Sequence, residues 1–218
     1  RWVLATPSGC AKNEIEEKDL VLLDLGTGDT VHRESHRVAR ARRGRKPSSE
    51  LAMHLAVYDE RPDIRAVVHA HPPTAIGLTF AKPNPRLDIC PEAVVFLGDI
   101  AFASYATPGT DALPASLIPF LGNSDVILME RHGAVCIAPD LDLAYFRMEA
   151  LENLAKIYIA ARQLGPVEPL ADSEKAKLLQ LAQQSSHPPL QAAGNLIDQE
   201  VLMQKVVARL QNETAGKG

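Results

Sequence analysis

The chain has 218 residues, of which 46% are apolar, 23% charged and 5% aromatic, with a formal charge of −4. That balance fits a folded domain and excludes a disordered or collagen-like chain, and the slight negative charge argues against a general nucleic-acid binder. No apolar run approaches the roughly 18 residues that a membrane helix needs, so no membrane partner is expected. Three isolated cysteines, Cys10, Cys90 and Cys136, form no Cys-x-x-Cys pair. They predict a reduced, cytoplasmic protein without a disulfide framework.

In chain order, residues 2–5 read as a strand closed by Thr6-Pro7-Ser8-Gly9. Because Arg1 already lies inside this apparent folded unit, the protein is expected to continue further N-terminally. Residues 18–25 read as a second strand. A basic stretch follows, residues 33–46, with seven Lys or Arg against one acid, Glu34, and a solvated flap is its plainest reading. Ser48-Ser49-Glu50 opens a helix that either serine can cap, and Arg61-Pro62 ends it. Residues 66–70 form a buried-strand pattern and residues 73–80 a short helix. Residues 93–97 and 100–103 read as short strands around Gly98-Asp99. Asp111 is expected to cap a helix that reaches Leu121. Residues 126–129 and 134–138 are strands joined through Arg131-His132-Gly133.

Asp140 caps the longest predicted helix, which runs to Leu164. Its apolar stripe is Leu143, Phe146, Ala150, Leu154, Ile157, Tyr158 and Ala161, expected to face the core or another subunit. Beyond Pro166 and Pro169, two more helices are predicted, near residues 173–184 and 196–211. Domain bounds follow as residues 1–165 for a catalytic domain and 166–218 for a helical tail packed on it. Strands and helices mix without strict alternation, so the fold class is α/β with a mixed or antiparallel sheet between helical layers.

The chemistry-bearing residues cluster at strand ends. In Val67-Val68-His69-Ala70-His71-Pro72 the two histidines sit two apart, and on a strand such side chains share a face. They can present two imidazoles to one metal ion. His132, on a tight connection, can supply a third imidazole and leave an open coordination position; Gly133 is expected to provide the unusual backbone conformation of that turn. Glu50, in the first turn of its helix, can transfer a proton. Ser48 and Ser49 suit a phosphate at the helix start, and Thr6, Ser8 and Gly9 form a second small polar loop. Each piece also has an ordinary structural reading, as a core histidine, a turn or a helix cap.

Together the strings Thr6-Pro7-Ser8-Gly9, Lys46-Pro47-Ser48-Ser49-Glu50, Arg61-Pro62-Asp63, Val68-His69-Ala70-His71, Tyr105-Ala106-Thr107-Pro108-Gly109-Thr110 and His132-Gly133 resemble the class II aldolase/adducin family. That family includes fuculose-phosphate aldolases, ribulose-phosphate 4-epimerases and methylthioribulose-phosphate dehydratases. The resemblance spans residues 2–161. It implies a three-layer α/β/α sandwich with a mostly antiparallel central sheet. It also implies a divalent metal on His69, His71 and His132, Zn2+ first and Mn2+, Co2+ or Ni2+ as alternatives. Glu50 becomes the catalytic acid/base, and Ser8, Gly9, Ser48 and Ser49 the phosphate pocket. A homotetramer with active sites shared between subunits is implied as well.

Three departures accompany the resemblance. The family's Gly-Asn-x-Ser segment would precede Arg1. The tyrosine that follows the two histidines in the fuculose enzymes is not evident in Cys90-Pro91-Glu92, where Glu92 takes the place of an acid/base glutamate expected to reach a neighbouring subunit's site. The basic stretch is also longer than in the fuculose enzymes. The activity expected is retro-aldol cleavage of a ketose 1-phosphate to dihydroxyacetone phosphate and an aldehyde. Dehydration, 4-epimerisation and decarboxylation are alternatives on the same residues, and a non-enzymatic adducin-like module is the alternative from another class.

Overall fold

The computed structural model describes residues 2–24 and 46–183. They form two compact units, one through Leu55 and one from Ala56. Nearly all of the basic stretch and the helix predicted near residues 196–211 lie outside the described residues.

In the first unit, β1 (Trp2–Ala5) pairs antiparallel with β2 (Val21–Asp24), Val3 opposite Leu23. Alternation governs both strands: Val3, Val21 and Leu23 are buried while Trp2 and Leu4 are half exposed. The predicted second strand starts later than expected. Residues Glu17–Asp19 form a 3-10 turn instead, because Glu16 and Asp19 close a reciprocal capping box around it. Helix α1 (Leu51–Glu60) follows residues 46–50, passes from the first unit into the second at Leu55–Ala56, and ends before Arg61-Pro62.

The second unit is organised on a four-stranded sheet. Its strands are β3 (Ala66–Ala70), β4 (Ile100–Ala103), β5 (Val126–Met129) and β6 (Gly133–Ala138), in the order β3-β6-β5-β4. The β3–β6 and β5–β6 pairs are antiparallel and β4–β5 is parallel, so the sheet is mixed, with antiparallel pairing predominant. Both central strands are buried on both faces, which explains their unbroken apolar sequences Val126-Ile127-Leu128-Met129 and Ala134-Val135-Cys136-Ile137-Ala138.

Among the described residues this unit also holds α2 (Pro73–Leu78), α3 (Ala112–Leu121), α4 (Leu141–Leu164) and α5 (Asp172–Gln183). Helices α2 and α4 cover one face of the sheet. Ala75 and Leu78 of α2 and Met148, Leu151, Leu154 and Ala155 of α4 meet Val126, Leu128, Ala134 and Cys136. Burial pushes the Cys136 thiol up to about 12, so it acts as a small apolar core residue.

Helix α4 starts as predicted, with the Asp140 carboxylate accepting the Leu143 N–H at 2.8 Å. Its buried face differs from the predicted stripe: Ala144, Arg147, Met148, Leu151, Leu154 and Ala155 point inward. Phe146 and Ile157 are exposed. Two further expectations are corrected. Residues Ala93–Leu97 coil into a π-helical turn rather than a strand, since this apolar run must place Ala93, Val94 and Leu97 together in the core. Asp111 precedes α3 but has helical backbone angles and makes no side-chain cap.

A charged hub braces the sheet beneath this packing. Arg147, 1% exposed, pairs with Asp125 at 3.0 Å and donates to the Ile137 and Phe96 carbonyls. Asp125 also pairs with Arg61 at 3.1 Å, and Arg61 donates to the Leu121 carbonyl. The hub thus joins the ends of α1 and α3 to β5, β6 and α4. No helix among the described residues is long and apolar enough to cross a membrane.

Candidate active site

The strand order explains why His69, His71 and His132 can meet. β3 and β5 both flank β6. The β5–β6 connection is a three-residue hairpin, Glu130-Arg131-His132, closed by the His132 N–H donating to the Met129 carbonyl at 3.1 Å. It returns the chain beside the last residues of β3, where Ala70 opposes Ala134. His69 is on β3, His71 just past its end and His132 at the hairpin's last position. Their ring centroids lie 4.9 to 5.1 Å apart in all three pairs.

Arg131 carries the left-handed conformation of this hairpin, with φ of 59°. A non-glycine residue pays a steric cost there. Its backbone N–H donates to Thr79 Oγ1 at 2.9 Å, and its guanidinium lies over the Phe80 ring at 5.2 Å. The expected role of Gly133 is therefore corrected. Its backbone is not left-handed, and glycine is required there for space. A Cβ at this position would stand 2.5 Å from the Ala70 carbonyl oxygen, 2.7 Å from the His71 ring and 2.9 Å from the His69 ring. Only a residue without a side chain leaves room for the His69 and His71 rings beside the end of β3.

The hydrogen bonding favours a cation. His69 Nδ1 lies 2.9 Å from the Ala134 carbonyl oxygen. A carbonyl only accepts, so Nδ1 carries the proton and Nε2 is left as the nitrogen that can present a lone pair. That Nε2 is 3.1 Å from His71 Nε2. A tetrahedral zinc ion with Zn–N bonds of about 2.0–2.1 Å separates its ligand nitrogens by about 3.3 Å. The ligand nitrogens of all three histidines lie within 4.8 Å of one another. The donor set therefore fits a borderline divalent metal, with no thiolate ligand needed.

In the first unit the two predicted phosphate loops converge. The Ser8 N–H donates to the Lys46 carbonyl at 2.9 Å and the Ser48 N–H to the Thr6 carbonyl at 3.1 Å, so residues 6–8 and 46–48 run as a short antiparallel pair, with Pro7 opposite Pro47. Gly9 turns the chain at φ of 70°. Ser8, Gly9 and Ser49 are exposed and Ser48 half-buried. Of the two capping serines, Ser48 closes the helix start: its hydroxyl accepts the Glu50 N–H at 3.3 Å and its carbonyl accepts the Leu51 N–H. Glu50 is half-buried immediately ahead of α1.

Glu92 lies in the second unit, exposed at the head of the π-helical turn. Beside it, burial pushes the Cys90 thiol up, which makes this cysteine a poor nucleophile. Sequence reasoning missed Thr79, Phe80 and Glu152. The first two support the His132 hairpin. Glu152 accepts hydrogen bonds from the start of α2, three residues after His71. None has a local sequence signal, because each acts across the fold.

Comparison with known proteins gives concordant results. Residues 1–159 match the family model of the class II aldolase and adducin N-terminal domain. An L-fuculose phosphate aldolase of Methanococcus vannielii is 32% identical over 71% of this chain and 77% of its own. A 5-deoxy-D-ribulose 1-phosphate aldolase of Bacillus thuringiensis is 32% identical over 81% of this chain and 77% of its own. A solved L-fuculose 1-phosphate aldolase superposes with a TM-score of 0.70 at 32% identity, covering 84% of this chain and 80% of that one.

Proposed function

The chain belongs to the class II aldolase and adducin family and is a sugar-phosphate aldolase, and on that premise we propose that it cleaves a ketose 1-phosphate to dihydroxyacetone phosphate and an aldehyde. The observation that carries this reading is the trio of imidazoles with ring centroids 4.9 to 5.1 Å apart, the His69 and His71 rings given room by Gly133. His69, His71 and His132 are the proposed metal ligands, with Zn2+ as the proposed ion. A divalent ion held there would supply positive charge to substrate oxygens as negative charge develops on them.

The chain's own residues do the rest. Ser8, Gly9, Ser48 and Ser49 are proposed to hold the phosphate through the serine hydroxyls and the Gly9 and Ser49 backbone N–H groups, since the Ser8 and Ser48 N–H groups already bond the Lys46 and Thr6 carbonyls. The C4 hydroxyl loses its proton as the C3–C4 bond breaks, and the electron pair passes to C3 and the C2 oxygen. Glu92, from a neighbouring subunit of a homotetramer, is the proposed acceptor of the hydroxyl proton. Glu50 is proposed to protonate C3, and to remove the same proton in the synthetic direction.

The test is a screen of ketose 1-phosphates against the protein loaded in turn with Zn2+, Mn2+, Co2+ and Ni2+, with products read by mass. Trapped dihydroxyacetone phosphate is the expected result, with a loss of at least about 1,000-fold in kcat for His132→Ala. A diketone product instead identifies a dehydratase. Full activity in His132→Ala defeats the ligand set.

A further inference from the structure

Helix α2 begins without an ordinary cap. Pro72 occupies the cap position and Pro73 the first helical position, and neither has an N–H. The first amide donors of the helix are therefore those of Thr74 and Ala75, which have no partners within the helix. One side chain from the middle of α4 takes both. The Thr74 N–H donates to Glu152 Oε2 at 3.1 Å and to Oε1 at 3.3 Å, and the Ala75 N–H donates to Oε2 at 3.0 Å. The Thr74 hydroxyl donates to Oε1 at 2.5 Å.

The Glu152 side chain is 15% exposed. Burial opposes its charge, but these hydrogen bonds outweigh burial and hold its carboxyl below the usual carboxylate range. An anion at a helix N-terminus also meets the positive end of the helix dipole. Lys156, one turn further along α4, lies 3.7 Å away with its side chain mostly in solvent. The hydrogen bonds to α2, rather than this surface pair, define what Glu152 does.

The position of this cap gives it a consequence beyond α2. His71 stands between the last paired residue of β3, Ala70, and Pro72. Its ring is exposed, so side-chain packing does little to hold it. Its backbone is set from one side by β3 and from the other by the first turn of α2, through two prolines with fixed φ. Helix α4 packs on both β3 and β6. Glu152 thus fastens the His71 corner to the scaffold that carries His69 and the His132 hairpin.

We infer that Glu152 is a positioning residue for His71, fixing the first turn of α2 and, through Pro72-Pro73, the distance of the His71 imidazole from those of His69 and His132. This rests on the proposed metal-binding role of the three histidines. The metal alone is therefore the probe, and substrate turnover is not needed.

The experiment titrates the full chain with Co2+ and reads visible absorption, affinity and the thermal midpoint without metal. Wild type, Glu152→Ala, Glu152→Gln, Thr74→Val and Lys156→Ala are compared. The expected result is a loss of Co2+ affinity of about 10- to 100-fold in Glu152→Ala, with an altered spectrum. Glu152→Gln, which keeps one acceptor oxygen, recovers part of the loss, and Lys156→Ala matches wild type. If Glu152→Ala does not fold, Thr74→Val, which removes only the hydroxyl bond, carries the test with a several-fold loss. A lowered thermal midpoint with wild-type Co2+ affinity and spectrum in Glu152→Ala, or in Thr74→Val where the alanine variant is unfolded, overturns the inference and leaves a purely structural cap. Failure of the wild type to bind Co2+ overturns the metal reading, and this inference with it.

Discussion

In the imidazole corner of the second unit, side chains converge because the backbone leaves room for them. In the serine loops of the first unit, the backbone itself does the converging. The corner needs Gly133 because a Cβ would strike a carbonyl and two rings. The loops need Gly9 because the chain turns there at φ of 70°, with nothing within 4 Å of where a Cβ would stand. One glycine is required for space and the other for conformation. The two regions suit different tasks. Rings drawn together at the end of a buried sheet suit an ion that demands set distances, whereas exposed serine hydroxyls suit an anion approached from solvent.

The largest effect that tests this contrast is expected from Gly133→Ala. The nearest obstacle is a backbone oxygen at 2.5 Å, and it cannot swing aside as the end of a flexible side chain does. Either β6 shifts against β3 or the histidine rings part. The expected outcome is a fall of about 100-fold in kcat, the scale of an ångström of misplacement. Weakened metal binding and a loss of stability of about 1–3 kcal/mol from overpacking accompany it. Steady-state kinetics, metal titration and denaturant melts check these together. Wild-type metal affinity in this variant would break the argument that space at Gly133 gives the His69 and His71 rings their room.

A smaller and differently directed effect is expected from Ser49→Ala in the loops. Its side chain is exposed, so the fold loses little. A hydrogen bond to a charged group is worth about 1.5–3 kcal/mol. KM for the phosphorylated substrate should therefore rise about 10- to 100-fold while kcat stays close to wild type. Kinetics against a ketose 1-phosphate and its unphosphorylated parent sharpen the result, since the parent should be handled equally by both proteins. A fall in kcat with KM unchanged would remove Ser49 from the phosphate group of residues.

The parts legible in the sequence were those fixed by local rules. β1, β3, β5 and β6 follow from apolar runs bounded by turn residues, and the start of α4 from Asp140. The two histidine rings of Val68-His69-Ala70-His71 lie together because the period-two alternation of β3 carries on to the residue just past its end. What was not legible depended on tertiary competition. Ala93–Leu97 is a five-residue apolar run that periodicity alone does not assign to strand or helix. The stripe predicted for α4 followed apolar spacing, yet the helix buries Arg147, whose charge is met by Asp125, and exposes Phe146. Gly133 was read as a turn former because glycine usually is one, but the crowding that demands it comes from β3, sixty residues earlier in the chain.

The smallest effect is expected at Gly9, and it separates conformation from space most cleanly. Gly9→Ala adds a Cβ that meets nothing, so any cost comes from holding a side-chain-bearing residue in the left-handed region, about 1–2 kcal/mol. Asparagine tolerates that region better than alanine, so Gly9→Asn should recover part of the stability that Gly9→Ala loses, despite being larger. The opposite order is expected at Gly133, where Gly133→Asn should be worse than Gly133→Ala because every added atom meets the Ala70 carbonyl or a ring. Denaturant melts of the four variants decide the matter. If asparagine is worse than alanine at both positions, Gly9 too is a matter of room, and the two regions are built by the same means after all.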